Sequence, residues 1–151
     1  MVTKQEVRNY LHKIQWISCE IRNCKAELEQ LREDMYSVSG AYSSEERVQS
    51  SRNLHKLENA VIRYVDDELA KEIEGTIKRL TRERYEIIQT IKKLEPAEYN
   101  VLHNVYVQGK DLTEVETIMN RSYSWVTSKH GTALSNLRII LEDKKNRYGK
   151  Y

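Results

Sequence analysis

This chain of 151 residues is poor in proline, glycine and cysteine, with one, five and two copies respectively. Charged residues make up 32 % of it. That composition is typical of a soluble, helical protein with one domain or two small ones. Cys19 and Cys24 would lie on different faces of a helix, so we expect no disulfide between them and a reducing compartment.

The chain also lacks a long apolar run. The longest stretch without a charged residue spans the eleven residues from Tyr99 to Gly109, and the next spans the ten residues from Met35 to Ser44, whereas a membrane helix needs roughly 18 apolar residues. The first eight residues show no apolar region typical of a signal peptide. We therefore expect no membrane partner and a location in the cytoplasm of a bacterial host cell.

Residue groupings that carry chemistry are missing as well. The five glycines are isolated from one another, so they cannot form a phosphate-binding loop. The four histidines stand at no metal-ligand spacing from a cysteine or carboxylate. Acidic clusters at residues 45–46 and 66–68 are interpreted as solvated helix faces. We therefore expect no catalytic residue, no metal and no cofactor, and a protein that is not an enzyme.

The first 94 residues predict two long helices. Thr3 and Glu6 have the spacing of a capping box, which indicates a helix start. Apolar residues then recur at alternating steps of three and four, as in a coiled-coil heptad. They are Val7, Tyr10, Ile14, Ile17, Ile21, Cys24, Leu28, Leu31 and Met35. A serine-rich linker is expected near residues 37–52, with a short helical piece at 44–48, before a second helix from about Asn53 to Leu94.

Charges beside this apolar stripe leave two packing arrangements open. In a parallel pair of first helices, Glu20 would meet Lys25 and Glu27 would meet Arg32 across the seam. In the other arrangement, the first helix packs antiparallel on the second as a hairpin. We favour the hairpin, with hairpins then pairing into a homo-oligomer through these N-terminal helices.

The last third of the chain predicts three shorter helices. Pro96 fits the first turn of one helix and Gly109 the position just past its end. Thr113 is expected to cap the next helix, with Glu116 as its capping-box partner.

A tight turn should separate the second of these helices from the third. Asn120 tolerates the left-handed conformation of such a turn, and Ser122 can cap the third helix. We expect the apolar face of the third helix to pack on its two neighbours. That face contains Val126, Ala133, Leu134, Leu137 and Leu141, and the expected partners are Leu102, Val105, Val115 and Ile118. This layout is typical of a DNA-binding helix-turn-helix.

Positive charge is concentrated in the same region. Residues 1–95 carry 17 basic and 17 acidic side chains, whereas the segment from Met119 to the end carries seven and two. The resulting excess of +5 fits a polyanionic partner.

These residues resemble region four of bacterial sigma factors, over about a third of the chain. The matching positions are Leu94, Gly109, Leu112, Thr113, Val115, Ile118, Ser122, Val126, Ala133, Leu134, Leu137 and Arg138. The resemblance implies that double-stranded DNA is the partner and that residues after the cap of the third helix contact bases. It also makes RNA polymerase a candidate partner.

Ten residues follow as candidate DNA contacts: Arg121, Ser122, Tyr123, Ser124, Trp125, Thr127, Ser128, Lys129, Lys144 and Lys145. Basic side chains suit phosphates, and hydroxyls suit base edges. Trp125 fits the hydrophobic core equally well.

The whole layout resembles small phage regulators of late genes, of the ArpU and RinA kind. We therefore expect an all-α protein with a long antiparallel hairpin (residues 1–94) and a helix-turn-helix domain with a basic tail (residues 95–151). Its expected function is sequence-specific regulation of transcription. Two alternatives stay open: a phage terminase small subunit, and a structural or adaptor protein in which the motif binds protein.

Overall fold

A computed structural model describes the backbone of residues 1–40 and 51–149, and the side chains of residues 1–36 and 62–149. All regular elements in these ranges are helices, and the described residues contain no strand, so the predicted all-α class is confirmed. The elements are α1 (Lys4–Gly40), α2 (Ser51–Ile91), α3 (Pro96–Leu102) with a π-helical turn directly after it (His103–Val107), α4 (Leu112–Met119) and α5 (Tyr123–Tyr148).

The start of α1 has the predicted capping box. The amide of Glu6 donates to Thr3 Oγ1 at 3.2 Å, and the amide of Thr3 donates to Glu6 Oε2 at 2.6 Å. The linker prediction is too long at both ends, because α1 continues to Gly40 and α2 already begins at Ser51. The helical piece expected at residues 44–48 lies outside the described residues.

The chain forms two compact units. Unit 1 combines residues 1–19 with residues 82–151, and unit 2 is the segment from residue 20 to residue 81. The boundary expected between residues 94 and 95 therefore falls within unit 1. There the first residues of α1 contact α5, since the amide of Val2 donates to Glu142 Oε1 at 2.9 Å.

In unit 1, α1 and α2 run antiparallel. Lys13 forms an ion pair with Glu83. Tyr10, which precedes Lys13 in α1, and Ile87, which follows Glu83 in α2, line the same small cavity. Of the heptad positions in this unit, Val7, Ile14 and Ile17 are buried and Tyr10 is half-buried, but Leu11, outside that stripe, is fully buried too. The buried face of this part of α1 is therefore wider than the apolar stripe of a two-stranded coiled coil.

In unit 2, α1 and α2 are again antiparallel. Arg32 Nη2 lies 3.1 Å from Glu74 Oε1. Met35, which follows Arg32 in α1, and Arg63, which precedes Glu74 in α2, line the same cavity of about 560 Å³. Within each unit α1 thus packs on α2, as the hairpin arrangement requires.

Candidate nucleic-acid interface

The three helices of the expected motif lie in unit 1. Pro96 occupies the first turn of α3, as predicted, and the π-helical turn extends this helix to Val107. Gly109 follows with φ +71°, a left-handed conformation that favours glycine and ends the helix.

The cap of α4 is Asp111, so the prediction of Thr113 with Glu116 is wrong. The amide of Glu114 donates to Asp111 Oδ1 at 2.8 Å, and the amide of Asp111 donates to Glu114 Oε2 at 2.9 Å. This pair meets the same spacing rule as Thr113 with Glu116, and aspartate is an equally good N-cap. As a result α4 begins at Leu112.

The side of α4 that faces the core differs from the predicted one. Leu112, Val115 and Met119 fall on one side of a helix with 3.6 residues per turn, and all three contribute to the core between the helices. Ile118 lies outside that arc and is 54 % exposed, so its predicted place in the core is wrong.

The turn and the cap of α5 are confirmed. Asn120 has φ 49° and ψ 52°, the left-handed conformation expected of it, and Ser122 Oγ accepts from the amide of Trp125 at 3.3 Å. The predicted apolar face of α5 is confirmed as well. Its five buried residues are Val126, Ala133, Leu134, Leu137 and Leu141.

The candidate contacts at the start of α5 form one exposed group. Tyr123, Ser124, Thr127 and Ser128 are all exposed to solvent. Ser122 is also exposed, but its hydroxyl is engaged in the cap.

Trp125 belongs partly to the core. It is half-buried and packs against the cluster centred on Val101, Val115 and Val126. The guanidinium carbon of Arg121 lies 5.3 Å from the centre of its ring, which is a cation–π geometry. Arg121 is itself exposed, so this contact holds a positive charge beside the start of α5.

Backbone hydrogen bonds engage some of the hydroxyls on α5. Thr127 Oγ1 donates to the carbonyl of Tyr123 at 2.9 Å, and Thr132 Oγ1 donates to that of Ser128 at 3.0 Å. Ser135 does the same towards Gly131 at 3.1 Å. The sequence reasoning missed Thr132 and Ser135, although the recurrence of hydroxyl residues every three or four positions after Ser124 was the signal.

The basic candidates are spread along α5. Lys129 Nζ lies 3.7 Å from Glu95 Oε2, close to the start of α3. Lys144 instead lines a small cavity together with Glu83 and Glu86. It follows Tyr123 by 21 residues, which places it roughly 30 Å further along the helix. Lys144 and its neighbour Lys145 are therefore not brought together with the exposed group at the start of α5.

The rings of His12, Tyr106 and His130 lie close together in unit 1. Tyr106 Oη lies 3.2 Å from His130 Nε2, and the ring of His12 stands edge-on to the Tyr106 ring at 5.2 Å. Burial lowers the pKa of His130, and the charge of Arg8 lowers it further. Burial also raises the pKa of Tyr106.

A buried carboxylate ties α3 to α5. Glu98 is only 2 % exposed, and Asn136 Nδ2 donates to its two carboxylate oxygens at 2.9 and 3.1 Å. These residues are 38 positions apart, and no sequence pattern pointed to their contact.

Neither a metal site nor a membrane-spanning helix emerges from the described residues. In those ranges, no three His, Cys, Asp or Glu side chains are grouped so that they could hold a metal ion. No described helix is both long and apolar enough to cross a membrane. The chain matches no known family, no curated protein and no solved structure.

Proposed function

We propose that this protein is a sequence-specific DNA-binding regulator of transcription that places the start of α5 in the major groove. The observation that carries this proposal is the two-sided character of α5. One side packs on α3 and α4, while the other exposes Ser124, Ser128 and Thr132 just after a capped start. Helix-turn-helix proteins contact base edges with this part of their recognition helix.

Few basic side chains lie near the start of α5, and this small number favours a protein that binds DNA in more than one copy. Residues 94–138 carry four basic and five acidic side chains. Arg121 and Lys129 are the only basic side chains in the first two turns of α5 and the turn before it. Because phosphate contacts supply most of the sequence-independent affinity, one copy would bind DNA weakly. When two copies are linked, binding of the first raises the effective concentration of the second near DNA, so the pair binds more tightly than one copy. A pair related by two-fold symmetry would contact two half-sites.

Assembly through α1 and α2 therefore belongs to the proposal. Val65 and Leu69 of unit 2 are half-exposed in the single chain, and a second copy would cover them. The sigma-like motif supports a role at promoters, with RNA polymerase as a further partner. We place the protein in the cytoplasm of a bacterium that carries a phage or prophage, as a regulator of late genes.

A protein-binding adaptor is the second candidate. The small acidic excess over residues 94–138 and the exposed Ile118 on α4 favour it, because exposed apolar groups without positive charge suit a protein partner better than DNA.

The test is a fluorescence-anisotropy titration of the full chain with a duplex recovered from a randomised pool, repeated over a salt series. A scrambled duplex serves as the reference. We expect Lys129→Ala to weaken binding to both duplexes and to reduce the log–log salt slope by about 0.9. Ser124→Ala should weaken binding to the recovered duplex alone, by about 1–3 kcal/mol if the contact is well formed.

Two results would contradict the proposal. Selective loss of the recovered duplex in Lys129→Ala, with Ser124→Ala unaffected, would mean that another face of α5 meets DNA. Absence of salt-dependent DNA binding would favour the adaptor. The double variant Lys144→Ala/Lys145→Ala, altered roughly 30 Å further along α5, measures how much of the helix lies along the phosphate backbone.

A further inference from the structure

The exposed side of α5 lacks the side chains that most often identify bases. Its residues in the first four turns carry hydroxyls, an aromatic ring or no side chain. They are Tyr123, Ser124, Thr127, Ser128, Gly131, Thr132 and Ser135. Guanine is usually recognised by Arg or Lys and adenine by Asn or Gln, and none of these four types stands on this side. A different kind of base contact must therefore supply the specificity.

The two threonines present methyl groups. Because Thr127 Oγ1 and Thr132 Oγ1 both donate to backbone carbonyls one turn earlier, each hydroxyl is turned towards the helix. The methyl group is then the outward part of an exposed side chain. Among the described residues, the hydroxyls of Ser124 and Ser128 form no such bond, so they stay available to base edges.

The angular positions arrange these groups in order. At 100° per residue, Ser124 and Ser128 lie near the middle of the exposed side, with Thr127 on one flank and Thr132 on the other. Thr132 follows Thr127 by five positions, which is about 7.5 Å along the helix axis. In a helix that follows the groove, this distance corresponds to about two base steps of 3.4 Å each.

We infer that α5 recognises thymine through its C5 methyl group, with the methyls of Thr127 and Thr132 as the contacting groups. This inference rests on the proposed DNA binding and adds the identity of the bases. Thymine is the only standard base with a methyl in the major groove, and threonine methyls contact it. The expected site has two thymines about two base steps apart, with hydrogen bonds from the serines between them.

The test replaces thymine by uracil, which removes this methyl and keeps all base-pairing groups. The probe is the duplex recovered from a randomised pool, with one thymine at a time changed to uracil. We expect a loss of affinity of about four-fold at each of two positions, the factor that corresponds to about 0.8 kcal/mol for one buried carbon group. Thr127→Ser and Thr132→Ser should each cause a similar loss on the thymine duplex and make uracil harmless at one of the two positions.

Thr81→Ser is the matched control. Thr81 is exposed on α2, and its Oγ1 donates to the carbonyl of Ile77 at 2.7 Å, the same bond that the two α5 threonines make. Its substitution repeats the chemical change outside the interface, and it should alter neither affinity nor the response to uracil. Thermal melting of all three variants checks that the helices stay folded.

The outcomes separate this inference from the proposed function. If uracil is harmless at every position while the chain still prefers the recovered duplex to a scrambled one, methyl recognition is wrong and DNA recognition stands. If uracil weakens binding equally in the wild type and in both serine variants, the assignment to these threonines is wrong. If the chain prefers no duplex, both ideas fall.

Discussion

The two units differ sharply in how much apolar surface they bury. Among the described side chains, 17 hydrophobic residues are buried in unit 1, whereas only Leu28 and Leu80 are buried in unit 2. In unit 1, α3, α4 and α5 join the two long helices around a core. Among the residues that the structure describes in unit 2, each long helix has only the other beside it. A pair of helices alone leaves part of its apolar surface in water, so we expect a second copy of the chain to bind at unit 2.

The spacing of apolar residues in α2 accounts for the difference. Val65, Leu69, Ile73 and Ile77 follow one another at steps of four, and each step moves about 40° around the helix. The apolar stripe therefore leaves the side that faces α1, and Val65 and Leu69 are 50 % and 43 % exposed. Nearer the end of α2, Leu80, Ile87 and Ile91 follow at steps of seven and four, which keep them within about 40° of one another around the helix, and all three are buried.

Truncations in the two units should differ most in stability. Leu137→Ala removes a fully buried side chain from unit 1, so we expect a loss of about 2–5 kcal/mol. Val65→Ala in unit 2 should cost within about 0.5 kcal/mol in dilute solution, as at other surface positions. Urea unfolding at low protein concentration measures both. Equal losses would mean that the two units are equally well packed.

Charge substitutions in unit 2 should separate assembly from folding. We expect Leu69→Lys to shift the monomer–oligomer equilibrium towards monomer by more than tenfold, because a lysine would enter the covered surface. Tyr64→Lys is the control, since Tyr64 is exposed about 140° away around α2. Ile21→Lys should weaken assembly and also destabilise the fold, because Ile21 is half-buried.

Sedimentation velocity distinguishes these variants. A wild-type chain that stays a folded monomer at high micromolar concentration would rule out assembly through α1 and α2. Equal sedimentation of the Leu69→Lys and Tyr64→Lys variants, both assembled, would place the contact on another part of these helices.

Local patterns predicted most of the fold. The capping box at Thr3, the turn at Asn120 and the cap at Ser122 each depend on residues close in sequence, and all three are confirmed. The α4 cap went wrong because Asp111 with Glu114 and Thr113 with Glu116 overlap and satisfy the same rule. In the structure α4 begins at Leu112, which packs against the core, and that contact is not visible in a local pattern.

The long-range contacts of unit 1 could not be predicted in this way. Glu98 meets Asn136, and Tyr106 meets His130, across 38 and 24 residues respectively. A glutamate on a helix is most often solvated, and a lone histidine has no spacing that signals its partner. Such contacts follow from the packing of whole helices, which no short pattern encodes.

A pH titration should affect unit 1 through His130. Burial lowers the pKa of His130 below its ordinary value of 6.5. As the pH falls below 6.5, His130 therefore takes up a proton in the unfolded chain before it does so in the folded protein. The free energy of unfolding, which is highest above pH 6.5, decreases until the pH passes the lowered pKa of the folded state. His130→Gln should reduce this acid sensitivity, seen as a flatter plot of melting temperature against pH. Part will remain, because burial also lowers the pKa of His103.

The control for this titration is Tyr106→Phe. It removes the hydroxyl that lies 3.2 Å from His130 Nε2 but keeps the ring and the histidine, so acid sensitivity should persist at a lower overall stability. An unchanged pH profile in His130→Gln would assign the sensitivity to other groups.

The smallest expected effects come from two glycines of unit 1 that differ in backbone conformation. Gly131 lies inside α5, and an added Cβ would meet nothing within 4 Å, so Gly131→Ala should stabilise the free protein by up to about 1 kcal/mol. Gly109 also has open space around it, but its φ of +71° means that Gly109→Ala should cost about 1–2 kcal/mol. Thermal melting of both variants decides whether backbone conformation or space controls these sites. A lower melting temperature for Gly131→Ala would mean that another group, such as a second copy of the chain, approaches this side of α5 closely even without DNA.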